Sequence, residues 1–294
     1  MNGEIEYLRL LKYILENGVR KENRTGIAAL TVPHMMLQHD MSLGFPLITT
    51  KKVAFKPIRV ELEFFIKGLT DKKWLQDRGC QIWNEWANPM IVLKRVLNEK
   101  YPFSNVEEGR KKIQKDEIDL GKIYGYQWRN FNSQKYGNDS DQLKNIVHKL
   151  HKDPNDRRMI CSAWNPIQLS EMALPPCHVL WHVTHIEGTL HLSWFQRSCD
   201  FLLGIPFNFS SYALLLHLLC KESGFKEGLV TGFLSDCHIY ENHIEQVKEQ
   251  ISRTPYELPK IETEKFTSIF DWTWEDTKSV GYKSHDKIIG EVAI

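Results

Sequence analysis

Apolar positions along the chain change period several times, and each change marks an element. Ile5, Leu8, Leu11, Ile14 and Leu15 recur at helical spacing, and Gly18 stands where such a helix would stop. Residues from Ile27 to Leu37 read as a strand. Pro57 suits the first turn of a helix running to about Lys67, with Gly68 as its stop. Met90 to Tyr101 and Asp141 to Leu150 again carry helical periodicity, the second opened by an acid that suits the helix dipole. Met159 to Trp164 reads as a strand, as do the segments on either side of an Ile186-Glu187-Gly188 turn. Tyr212, Leu215, Leu216 and Leu219 mark what should be the most buried helix. Leu229 to Leu234 is strand-like, about Tyr240 to Arg253 helical, and Phe266 to Ile294 strand and turn. No repeat or linker divides the chain, and strands and helices do not alternate regularly. The pattern therefore predicts one α+β domain over residues 1–294, a mixed multi-stranded sheet packed with helices and not a doubly wound one.

Charge narrows the partners. With 38 basic and 37 acidic residues among 294, the net charge of +1 argues against a broad nucleic-acid or membrane surface. No apolar run approaches membrane-spanning length. Six cysteines without a CxxC pair suggest a reduced, cytoplasmic protein and neither a disulfide scaffold nor a zinc site. His238, His243 and Cys237 lie close in sequence but lack the spacing of a zinc site, so no metal is expected. The dense charge between residues 87 and 119 reads as a surface insertion with little catalytic promise.

Chemistry concentrates between Leu174 and Leu219. Cys177 follows Pro175-Pro176, and the hairpin after it brings Cys177 back beside Arg197, Ser198 and Asp200. A thiol, a guanidinium, a hydroxyl and a carboxylate in one pocket make a nucleophilic or anion-binding site, with Arg197 favouring the thiolate. Arg24, in a glycine-containing loop, and the adjacent Arg157-Arg158 carry the charge type that reaches an anion, although such arginines are more often solvated. Glu61 and Glu63 interrupt an apolar run, so at least one should face a pocket; Glu63 reads as the solvated one. Trp83 and Trp86 belong either to the core or to the wall of a site for a flat heterocycle.

Taken in order, Arg24-Thr25-Gly26, Thr49-Thr50-Lys51-Lys52, Glu61, Ile82-Trp83, Tyr124-Gly125, Arg157-Arg158, Pro176-Cys177-His178, Gln196-Arg197-Ser198, Asp200, Gly204 to Asn208, His238-Ile239-Tyr240 and the terminal Val-Ala-Ile span nearly the whole chain. The sequence resembles the thymidylate synthase family on these residues. The resemblance implies a thymidylate synthase-like fold, a homodimer packed sheet to sheet, and reductive methylation of dUMP to dTMP. The cosubstrate would be 5,10-methylenetetrahydrofolate and the nucleophile Cys177. It implies that Arg24, Arg197 and Ser198 hold the phosphate, with Arg157 and Arg158 supplied to the neighbouring subunit's site. His238 and Tyr240 would bond the sugar hydroxyl, Asn208 would read the uracil edge, and His178 and Gln196 would also serve the nucleotide. Glu61 and Tyr124 would handle protons. Asp200, Ile82, Trp83, Leu203, Gly204, Phe207 and Ala293 would meet the folate, Lys51 its glutamate tail, and the last residues would close the site.

Three places depart from the family's usual pattern: Ile27-Ala28-Ala29, Leu234-Ser235 before Asp236, and His285-Asp286-Lys287. None removes an expected catalytic group. A deoxyuridylate hydroxymethylase of the same superfamily would share the cysteine addition and differ in its product. An RNA-binding protein without turnover suits the near-neutral charge poorly, so nucleic-acid binding is at most secondary.

Overall fold

The hairpin expected around Ile186-Glu187-Gly188 sits in the middle of a larger sheet. A computed structural model describes residues 1–98, 106–132, 135 and 140–291. In it β1 (Val19–Lys21), β2 (Ala29–Asp40), β3 (Ile160–Ser162), β4 (His178–Ile186), β5 (Thr189–Gln196), β6 (Cys199–Asp200) and β7 (Lys226–Tyr240) form one sheet. Its order is β1-β2-β7-β5-β4-β3, with β6 beside β7. The β5–β7 and β6–β7 pairs are parallel and the rest antiparallel, so the sheet is mixed. At the β4–β5 turn Glu187 and Gly188 take φ of 48° and 78°, the left-handed pair that matches the twist of a two-residue hairpin.

Neighbouring rows of side chains show which face is inside. Leu37, Gly232, Trp194 and Trp181 are cross-strand partners in one row; its three side chains are fully buried. Gly232 is required there, because a Cβ would lie 2.5 Å from the Trp194 ring. Trp194 in turn stacks on Tyr212, with ring centroids 5.1 Å apart. Tyr212 belongs to α8 (Gly204–Ser223), the apolar helix that the sequence places at the centre. One residue along, Met36, Phe233, Phe195 and Leu180 form the next row and point the other way. There Met36, Phe233 and Phe195 are 47%, 49% and 37% exposed.

Among the described residues the other α-helices named are α1 (Gly3–Asn17), α2 (Phe55–Ile66), α3 (Lys72–Gln76), α4 (Pro89–Asn98), α5 (Val106–Asp116), α6 (Tyr124–Asn130), α7 (Gln142–Lys152) and α9 (Ile244–Ile251). A separate antiparallel ribbon joins β8 (Lys260–Thr263) to β9 (Thr277–Val280). No helix among the described residues is long and apolar enough to cross a membrane.

Several local expectations change. Ile5 is 60% exposed, and the buried stripe of α1 is Tyr7, Leu10, Leu11 and Ile14. Tyr7 sets that rotation: its hydroxyl donates to Phe201 O at 2.7 Å. Glu63 is buried, not solvated. It pairs with Lys67 at 2.5 Å and accepts the Trp274 N–H at 2.8 Å, which compensates its desolvation. The strand expected to end at Leu234 continues through Ser235 and Asp236 to Tyr240. The 87–119 segment contains α4 and α5, packed around Ala87, Val92, Val96 and Ile113. The terminal Val-Ala-Ile, including Ala293, lies outside the described residues.

Candidate active site

Cys177 stands immediately before β4 and Arg197 immediately after β5, so the hairpin register alone brings them together. The Arg197 N–H donates to Cys177 O at 2.8 Å. Its guanidinium donates from Nη2 to Pro175 O at 2.8 Å and from Nε to Pro176 O at 2.9 Å. The two prolines thus offer carbonyls that fix the arginine beside the thiol. The Arg197 guanidinium also lies 5.6 Å from the Trp164 ring centroid.

Tyr124, the first residue of α6, anchors the cysteine from the other side. Its hydroxyl accepts the Cys177 backbone N–H at 2.8 Å. Burial raises the thiol pKa, while Arg197, Tyr124 and Arg24 pull it down; burial wins. The guanidinium therefore assists the thiolate as expected but does not by itself lower the pKa below the ordinary value.

Behind Tyr124, at 4.1 Å and nearly parallel, stacks His178. His178 is buried, its Nδ1 bonds the Tyr212 hydroxyl at 2.8 Å, and burial holds its pKa down to about 3. It supports the tyrosine as a neutral ring and is not among the residues lining the cleft. Glu61 on α2 accepts from Trp83 Nε1 at 2.8 Å. Burial raises its pKa to about 7, against the pull of the Trp83 bond, and a carboxyl with that value can exchange protons near neutrality.

Cys177 and Arg197 border a cleft of about 930 Å³, with Tyr124 and Glu61 packed behind its wall. Arg24, Cys177, Arg197, Ser198, His238 and Tyr240 all line it. Arg24 is held out by a built loop: Asn23 bonds Ile27 O, Thr25 N and Thr25 Oγ1, and Gly26 takes φ of 76°. His238 Nδ1 lies 2.9 Å from Asp236 O and 3.2 Å from its Oδ1. Burial alone would lower the His238 pKa; the Asp236 contacts outweigh it and raise the value. The same contact lowers Asp236 to about 2, with Lys21 contributing. Asp236 lines the cleft and was missed from sequence, where only its position two residues before His238 hints at the pairing.

Gln196 lies behind the cleft. It is buried, accepting from Trp194 Nε1 at 3.1 Å and donating to Ser198 O at 3.0 Å and Asn208 Oδ1 at 3.1 Å. It orients Asn208 instead of facing the cleft. One bond to that carbonyl leaves Asn208 a further lone pair and both amide hydrogens. Asp200 Oδ1 accepts the N–H groups of Leu202 and Leu203 and so shapes the entry to α8, where Leu203, Gly204 and Phe207 are half-buried. Lys51 is also drawn inward. It is buried and donates to Leu202 O, with burial lowering its pKa to about 8. Its ammonium bonds that carbonyl. Ile82 is 43% exposed, whereas Trp83 is almost wholly buried.

Arg157 and Arg158 lie outside the cleft; both are exposed, and Arg158 pairs with Asp156 at 2.8 Å. The opposite wall comes from the segment read as an inert insertion. Val92, Leu93 and Val96 line it with Arg110 and Gln114 of α5, and Trp86 stands just before the segment. Among the described residues no cluster of three or more His, Cys, Asp or Glu side chains could hold a metal ion.

The thymidylate synthase family model matches residues 5–294. The chain is 42% identical to thymidylate synthase of Mycoplasma genitalium over 295 residues, covering 98% of this chain and 99% of that one. It is 42% identical to thymidylate synthase of Mycoplasma pneumoniae over 291 residues, with 98% and 99% covered. The bifunctional dihydrofolate reductase-thymidylate synthase of Paramecium tetraurelia is 40% identical over 298 residues. That match takes in 99% of this chain, which spans 61% of the relative's length. With Cys177, Arg197 and the cleft described, the family match and the near-full-length identities show that the chain belongs to the thymidylate synthase family.

Proposed function

We propose that this protein is a methyltransferase that converts dUMP to dTMP with 5,10-methylenetetrahydrofolate, releasing dihydrofolate. The observation that carries the reading is Cys177 at the cleft, held between Tyr124 and Arg197 and surrounded by Arg24, Ser198, His238 and Tyr240. In this reading the Cys177 thiolate adds to C6 of the uracil ring, which makes C5 nucleophilic. Folate supplies the one-carbon unit and the hydride. Loss of the C5 proton and expulsion of the sulfur restore the ring's double bond. Glu61, whose pKa burial raises to about 7, and Tyr124, bonded to Cys177 N–H, would carry the protons, and Arg197 favours the thiolate form. Arg24, Arg197 and Ser198 take the phosphate, and His238 with Tyr240 takes the sugar hydroxyl. Asn208, oriented by Gln196, reads the uracil edge. The residues present suit a folate: Trp86 in the cleft offers a flat face, the half-buried Leu203 and Phe207 apolar ones, and Asp200 a carboxylate.

A homodimer belongs to the same reading. Met36, Phe233 and Phe195 leave an apolar row on the outer sheet face, the kind of exposed patch that marks an interface. His182, two residues from Leu180, contacts Arg157 O at 3.2 Å on that side. Packing two such faces would carry Arg157 and Arg158 toward the partner's cleft.

Incubation with dUMP and methylenetetrahydrofolate should give dTMP and dihydrofolate, identified by mass and absorbance. Hydroxymethyl-dUMP with tetrahydrofolate would favour the hydroxymethylase instead. Cys177→Ser should abolish turnover while dUMP still binds; normal turnover in that variant would defeat the mechanism.

A further inference from the structure

Lys72 is the first residue of α3 and fully buried, an unusual fate for a lysine. A cation at a helix N-terminus opposes the helix dipole, so α3 itself gains nothing from it. The side chain instead spans to three carbonyls: Asn84 O at 3.0 Å, Trp86 O at 2.9 Å and Gln114 O at 2.8 Å. Three donors meet three acceptors, which satisfies the ammonium. Gln114 lies in the last turn of α5, where carbonyls lack partners within the helix and a cation is favoured. Asn84 and Trp86 bracket Glu85, so the ammonium holds that loop at two points.

Other bonds run along the same seam. Lys72 N donates to Ile118 O at 2.8 Å, Leu120 N to Thr70 O at 2.8 Å, and Asn88 N to Asp119 O at 2.7 Å. Gln114 Nε2 donates to Glu85 O at 2.6 Å. On one side of this seam Trp86 lines the cleft, and on the other Trp83 bonds Glu61. We propose that Lys72 is a positioning residue for the cosubstrate side of the cleft, pinning the Trp83–Trp86 loop to the end of α5. It thereby sets where both tryptophans and the α4–α5 wall stand. The residue touches no reacting atom and acts through the loop. This inference rests on the proposed function for its substrates, but not for the seam itself.

The test begins with dTMP formation by the wild-type enzyme; failure there would overturn the functional reading and leave the seam to be judged by exchange alone. Lys72→Met, which keeps length and loses the charge, should raise the KM for methylenetetrahydrofolate about tenfold and lower kcat several-fold. The dissociation constant for dUMP should stay within about twofold, because the nucleotide side hangs on the sheet. Lys72→Arg should recover most of the loss. Amide hydrogen exchange should quicken at least about tenfold over residues 82–88 and 112–118 in Lys72→Met, with β4, β5 and β7 unchanged. An unchanged folate KM, a parallel loss of dUMP binding, or unchanged exchange in the loop would each overturn the proposal. If Lys72→Met does not fold, Gln114→Ala removes the neighbouring bond to Glu85 O. Faster exchange confined to the same two segments then supports the seam, and unchanged exchange rejects it.

Discussion

Two glutamates on α2, two positions apart, meet opposite fates, and the difference lies in their partners. Glu63 is buried but compensated by the Lys67 ammonium and the Trp274 N–H. Glu61 has one neutral donor, Trp83 Nε1, and burial raises its pKa from the ordinary 4.5 to about 7. The sign of the consequence follows from linkage. Between pH 4.5 and about 7 the folded state keeps a proton on Glu61 that the unfolded chain has released. Stability therefore falls as pH rises through that window. Glu61→Gln removes this dependence, so the variant should gain stability relative to wild type between pH 5 and pH 8, measured by urea unfolding. A constant difference across the range would show that Glu61 is not held up in this way. The same variant should lose the inflection near pH 7 in kcat and fall by about 10²–10³-fold, within the span of general acid–base catalysis. From sequence, an apolar run broken by two acids says that one acid faces inward. It does not say which, because the choice depends on Lys67, Trp83 and Trp274, and two of these come from distant segments.

At the scale of elements, the site is built by close approach of α6 to α2. Gly125, next to Tyr124, has no space for a side chain: a Cβ would meet Phe65 Cα and Phe65 O at 2.6 Å. In an isolated helix Gly→Ala would be favourable by about 1 kcal/mol. Here the contact is with backbone, which cannot rotate away, so overpacking wins. Gly125→Ala should cost about 1–3 kcal/mol in unfolding free energy. It should also lower kcat more than it weakens dUMP binding, because α6 carries the Tyr124 hydroxyl away from Cys177. A stable, fully active variant would mean that the helices have slack. Elements built on local pattern were legible: the β4–β5 hairpin follows from alternation around Glu187-Gly188, and α8 from its apolar run. What the sequence hid were long-range commitments. β7 runs on through Ser235 and Asp236 because β2 pairs with it as far as Tyr240. Lys51 is drawn inward by Leu202 O, and the charged insertion turns Val92, Leu93 and Val96 toward the cleft.

For the whole molecule, the cleft of one chain contains Arg24, Arg197 and Ser198 but neither Arg157 nor Arg158. Those two arginines project from the loop before β3, beside the outer sheet face with its exposed Met36, Phe195 and Phe233. If that face binds a second copy, each site takes its nucleophile from one chain and two arginines from the other. This arrangement has a signature that no single-chain site shares. Cys177→Ser homodimers should be inactive, and so should homodimers carrying Arg157→Glu and Arg158→Glu, whose phosphate site is repelled. Unfolding an equal mixture and refolding it together allows subunits to exchange. Half of the dimers should then be mixed, each with one intact site, so activity should return to about one quarter of wild type. The recovered activity should come with a dimer mass in sedimentation and should be absent when the two variants are refolded apart. A mixture as inactive as its parents would place both arginines in the chain that carries the cysteine, whereas an active double-arginine variant would place them outside the reaction. The exposed Met36, Phe233 and Phe195 row makes a second demand on the same interface: Phe233→Asp should shift the protein toward monomer and lose activity together with mass. Loss of one without the other would separate assembly from catalysis.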